Sequence, residues 1–185
     1  IYMRNSHPFL LPLQRDIQAG NNAGIEFQLN VLLKKAASYE TKARLKTEIY
    51  LEVVKALRVL NRTAEAHNFA EIASSNIPAD CLDILAEVNR MRALLALDRA
   101  DIATARHIID STDGMEMVID GGISHIDRRP QDVQPETILI SCEIALAEGN
   151  YELAKTEYNN LVDKIAEQKK ELSQGRLGPL EKKQK

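Results

Sequence analysis

The chain has 185 residues, 44% hydrophobic, 28% charged and 4% aromatic with no Trp, and its eight Gly and six Pro are too few for an all-β chain of tight turns. This length accommodates one large helical domain or a short repeat array. The formal net charge of −3 argues against nucleic acid and anionic membranes as partners, and no apolar run nears the roughly 18 residues that span a bilayer.

Residues 1–7 carry no period. Leu10 to Gln18 reads as a short helix ending at Gly20, with Asn21-Asn22 as the turn. Helix signal resumes at Gly24, where Ile25, Leu29, Leu32 and Leu33 form a stripe. Residues 41–60 predict a long helix with Thr41 as N-cap. Leu45, Ile49, Val53, Leu57 and Leu60 make its apolar face, and Lys42, Lys46, Glu48, Glu52, Lys55 and Arg58 its charged face. After a turn at Asn61-Arg62, Thr63 is expected to cap a helix to about Ser74 with a small packing face, Ala66, Phe69, Ala70 and Ala73. Asp80 is expected to cap the next helix, which runs to about Leu97 with Leu82, Leu85, Val88 and Leu95 inward. Asp101 then begins a short partner helix holding Ile102, Ala105, Ile108 and Ile109.

Residues 112–134 break this pattern. MEMVI and ISHI flank Asp120-Gly121-Gly122, which predicts an inserted loop or small hairpin. Pro135 suits the first position of a helix. The stretch SCEIALAEGNYELAKTEYNNL, residues 141–161, is then two helical segments joined at Gly149, with Asn150 capping the second. Tyr151, Ala154, Tyr158 and Leu161 share one face by spacing. The last helix is expected to reach Leu172 and to stop at Ser173-Gln174-Gly175, leaving 173–185 as a polar, disordered tail.

Three helix pairs align on small residues: Ala66, Ala105 and Ala154, followed by Ala70, Ile109 and Tyr158, then Ala73, Thr112 and Leu161. Their first helices align at Val54, Ala93 and Cys142, then at Leu57, Ala96 and Ala145. This pattern resembles the tetratricopeptide repeat (TPR) family. The spacing departs from that family: Ala66 to Ala105 is 39 residues and Ala105 to Ala154 is 49. The resemblance implies an all-α, right-handed α-solenoid of antiparallel helix pairs in one domain over 1–172, with its clearest repeats at 47–78, 86–112 and 135–162. It also implies a concave groove lined by the first helix of each pair. Carried over by position, the groove presents Leu51, Lys55 and Arg58, then Arg90 and Leu94, then Leu139, Glu143 and Leu146. The carboxylate clamp of chaperone-type repeats is missing, because Leu51 stands at its first place and Lys55 at its second.

Chemistry is sparse. His125 and Asp127 in the insertion, with Arg128 and Arg129 beside them, are the loop candidates. No nucleophile or phosphate loop accompanies them. The four histidines show no metal-ligand spacing, and Cys81 and Cys142 form neither a disulfide framework nor a metal site. No cofactor is implied. The two thiols read as buried and reduced, in an intracellular, cytoplasmic protein. The expectation is a non-catalytic protein–protein interaction scaffold, a subunit or adaptor of a larger assembly that binds a peptide or helix. A homo-oligomer is compatible with it. The rival reading is the regulatory or sensor domain of a transcription regulator, binding a small ligand or partner protein.

Overall fold

The computed structural model describes residues 7–79, 81–112, 115–120, 123–128 and 133–181. The helices are α1 (Leu11–Ala19), α2 (Asn22–Ala37), α3 (Ala43–Val59), α4 (Thr63–Ser75), α5 (Leu82–Asp98), α6 (Ile102–Asp110), α7 (Pro135–Ala147) and α8 (Tyr151–Glu181). Strands β1 (Met115–Asp120) and β2 (Ile123–Arg128) lie between α6 and α7. The described residues are therefore all-α with one β-hairpin. By its contacts the chain divides into two compact units, residues 2–112 and 113–185.

One turn recurs at every helix pair. Gly20, Asn61, Ala100 and Gly149 each take a left-handed conformation, with φ of 64°, 61°, 59° and 73°. The amide of the following residue reaches back five residues: Asn21 to Asp16, Arg62 to Leu57, Asp101 to Ala96 and Asn150 to Ala145, at 2.8–3.0 Å. This is the Schellman closure, which satisfies carbonyls orphaned at the helix end. The same following residue opens the next helix, where its carbonyl accepts from Ile25, Ala66, Ala105 or Ala154. Three of the four also cap with their side chains: Asn21 accepts from Gly24 at 3.2 Å, Asp101 from Thr104 at 3.2 Å and Asn150 from Leu153 at 3.1 Å. The fourth is Arg62, which has no side-chain oxygen. Thr63 is then the first helical residue and not the cap.

Two further cap expectations change. Lys42 holds the N-cap position of α3, and Thr41 instead donates to the Lys35 carbonyl at the end of α2, 2.6 Å away. Cys81 holds that place before α5, and Asp80 lies outside the described residues.

In the unit 2–112, α3 packs against α1, α2, α4 and α5. A helix with four neighbours has little free surface, so two residues of the expected charged face are buried, Glu48 at 6% exposure and Glu52 at 5%, while Lys42 stays exposed and Lys46, Lys55 and Arg58 are half-buried. Apolar Ile49, Val53, Val54 and Leu57 join Ile25, Leu29, Ala66, Ala70, Ile84 and Val88 in one core. The small face of α4 lets its backbone come close to α3, and Tyr50 stacks on Phe69 with centroids 5.9 Å apart. In α5, Ile84 is buried and Leu85 is exposed, reversing the expected use of Leu85. Thr47 donates to the carbonyls of Ala43 and of Asn76, tying the start of α3 to the end of α4.

In the unit 113–185, β1 and β2 pair antiparallel with Asp120 opposite Ile123 and Met115 opposite Arg128. The expected hairpin is thus present; its connecting residues 121–122 lie outside the described set. α7 packs along α8. Val133, Ile138 and Leu161 form one cluster, and Ile144, Ala145, Ala154 and Glu157 are buried. The buried side of α8 therefore runs through Ala154, Glu157 and Leu161. Tyr151 and Tyr158, expected to share the packing face with Ala154, are exposed. A second difference is length. α8 continues to Glu181 through Gly175, where a stop and a disordered tail were expected. Gly175 by itself costs a helix interior only about 1 kcal/mol, too little to end the helix there; the same span also runs through Gly178 and Pro179, and nothing in the structure explains how the helix tolerates them.

Overpacking and turn strain are separately measurable. Ala66→Leu and Ala154→Leu should each cost ~1–3 kcal/mol in chemical denaturation, because each places a larger side chain at a buried helix contact. Gly149→Ala should cost about 1–2 kcal/mol through its positive φ. The Asp101 cap adds a pH signature. Hydrogen bonds from the Thr104 side chain and backbone hold its carboxyl below the ordinary carboxylate range. Its stabilisation is therefore complete above the unfolded value near ~3.9 and lost as pH falls through the lower folded value. Melting curves of Asp101→Asn should keep the cap without this acid loss, whereas Asp101→Ala should be less stable at neutral pH.

Candidate functional site

The cleft of interest lies near the C-terminal ends of α1, α3 and α5 and has a volume of about 500 Å³. Ile17, Val59 and Met91 give it an apolar lining, Lys55, Arg58 and Asp98 a charged one, and Asn61 and Thr63 flank the α3–α4 turn. Its position follows from the fold: α1 meets α3 and α3 meets α5, so alternate helices lie side by side.

The charges are engaged within the chain. Arg58 grips Asp98 through two hydrogen bonds of 2.7 and 3.1 Å. Lys55 holds Glu52 at 3.0 Å and Glu87 at 3.8 Å. At the other end of the same seam, Arg44 bonds Glu48 at 3.1 Å and Asp83 at 2.8 Å, and also donates to the Cys81 sulfur at 3.3 Å. The Asp83 hydrogen bond raises the Arg44 pKa still further above its ordinary value, so this guanidinium stays charged at any working pH. Below the cleft, Arg62 joins Glu26 of α2 to Glu65 of α4. The Arg62 hydrogen bond draws Glu65 below the usual carboxylate range. A ligand in the cleft meets apolar side chains beside preformed ion pairs, in which Lys55 and Arg58 are already engaged.

The residues expected to line a groove separate into different environments. Lys55 and Arg58 line the cleft. Leu51 does not: it is 1% exposed and sits in the core, because that face of α3 is covered by neighbouring helices. Leu94 packs against the same core, and Arg90 is half-buried on α5. Leu139, Glu143 and Leu146 share one exposed face of α7, in the other unit. His125, Asp127 and Arg128 lie in β2, opposite Val118, Glu116 and Met115, and Arg129 lies outside the described residues. Among the described residues, no three His, Cys, Asp or Glu side chains converge as a metal site.

Sequence reasoning missed Val59, Met91 and Asp98. A signal for Asp98 existed: Arg44–Asp83 and Arg58–Asp98 are separated by 39 and 40 residues, close to the spacing of the aligned alanines. No family model, curated protein or solved structure matches this chain. No described helix is long and apolar enough to cross a membrane.

The Arg58–Asp98 clamp should be a modest contributor. A double-mutant cycle of Arg58→Ala and Asp98→Ala in urea should give a coupling of about 0.2–1 kcal/mol, since both partners are partly solvated.

Proposed function

We propose that this chain is a non-catalytic interaction scaffold, a subunit or adaptor of a larger assembly. In this reading its helix pairs stack as a right-handed, TPR-like solenoid, and the side formed by α1, α3 and α5 receives a peptide or helix from another protein. The observation that carries the proposal is the recurrence of one closing turn at Gly20, Asn61, Ala100 and Gly149. Pairs closed alike are the building unit of repeat arrays, in which each unit buries its face on the next. The cleft at Val59 and Met91 supports it further, because an apolar lining beside charges suits an apolar side chain flanked by polar ones. The free thiols of Cys81 and Cys142 fit a reducing, intracellular compartment.

The cleft volume also favours a second reading, a sensor domain holding a small ligand, because ligand pockets span about 300–1,000 Å³. Affinity capture with mass spectrometry, using the wild type beside Val59→Glu and Leu139→Glu, tests the first reading. Both residues are half-exposed, so both variants should keep their helicity by circular dichroism. A partner retained by the wild type and lost by at least one variant is expected. No retained partner, or one indifferent to both changes, would sink the scaffold reading. A metabolite that raises the melting temperature of the wild type but not of Val59→Glu would favour the sensor instead.

A further inference from the structure

The exposed face of α8 has a strict period. Tyr151, Tyr158, Ile165 and Leu172 stand seven residues apart, and Val162 lies between Tyr158 and Ile165 at spacings of four and three. All five are large, apolar and exposed, from 40% for Ile165 to 71% for Tyr151. Spacings of seven, four and three are those of a coiled-coil seam, and the stripe extends ~33 Å at 1.5 Å per residue. It is separate from the buried side through Ala154, Glu157 and Leu161, so packing on α7 does not account for it. α7, with 13 residues against 31 in α8, can accompany less than half of α8, and every described side chain from Lys169 to Gln174 is exposed.

We propose that a second copy of this chain covers this face, with the two α8 helices antiparallel. The charges on the seam select the direction. Lys155 and Lys169 complete the alternating seven-residue series with Val162. A parallel pair would set Lys155 against Lys155 and Lys169 against Lys169. An antiparallel pair centred between Val162 and Ile165 sets Val162 against Ile165, Lys169 against Tyr158 and Lys155 against Leu172. Each lysine stem then lies along a large side chain, with its ammonium at the edge in water or over the tyrosine ring. One flank of the seam holds Glu152 and then Asn159, Ala166 and Ser173, the last three uncharged and small enough for close approach. The patch matches itself under a two-fold axis, as an isologous dimer requires. The four tyrosines of the pair, at about 150–250 Å² each and more than half exposed, supply roughly half of the ~1,000 Å² a specific interface needs.

Sedimentation of the full chain up to ~100 μM tests the proposal, with Val162→Glu/Ile165→Glu as the variant and circular dichroism as the folding control. The expected result is a dimer whose Kd weakens at least ~tenfold in the variant at unchanged helicity. A spin label at Ser173→Cys, with Cys142→Ala, reports direction: about 30 Å between copies if antiparallel, about 10 Å if parallel. A monomer at every concentration, a dimer indifferent to the variant, a dimer lost only with Leu139→Glu, or the short label distance would each overturn it, as would a monomer that uses this face for a different protein. Val59→Glu should leave the mass unchanged, so failure here and failure of the cleft reading are told apart.

Discussion

Glu48 and Glu52 are nearly removed from water on the helix around which the unit 2–112 packs, and a buried carboxylate without a cation is among the costliest defects a fold can carry. Arg44 and Lys55 meet that demand from the same helix. Both then reach further, to Asp83 and Glu87 on α5, and Arg58 completes the line at Asp98. The seam between α3 and α5 is therefore held by alternating charge as well as by apolar burial. Because these pairs are directional, they resist the sliding that Ile, Val and Leu contacts alone would allow. The cleft stands at one end of that seam, so its shape depends on ion pairs that are part of the fold.

The second constraint is volume. Ala66, Ala70 and Ala73 leave α4 almost flat where it meets α3, and Ala105 sits at the corresponding place in α6. With few aromatics in the chain, close backbone approach replaces large side chains as the source of packing density. Such a core tolerates enlargement poorly, because there is no loose side chain to move aside.

The parts legible in the sequence were those with local causes. Gly20, Gly149, Pro135, Asn150 and Asp101 mark turns and caps by their own chemistry, and all behave as read. The hairpin followed from alternation around a turn. What escaped notice depends on neighbours distant in sequence. A helical period assigns one buried face, whereas α3 has four neighbours, so Leu51, Glu48 and Glu52 were placed outside. Tyr151 and Tyr158 carried the period of a packing ladder and turned out to face away from it. Ala100 adopts the turn conformation without glycine's freedom, so no glycine marks the α5–α6 turn as Gly20 and Gly149 mark theirs. The cleft draws on helices some forty residues apart, and only the repeat spacing hinted at which side chains would meet.

The recurring turn has a consequence for how the chain reaches its structure. Each pair is closed by hydrogen bonds that span five residues of sequence, so little chain entropy is lost before the first stabilising contacts form. Proteins rich in such local contacts fold fast, and synthesis delivers them in order from the N-terminus. The pair α1–α2 can therefore close while the segments that follow are still being made, and the slower joining of α3 to α5, across some forty residues, begins from helices already turned back on themselves.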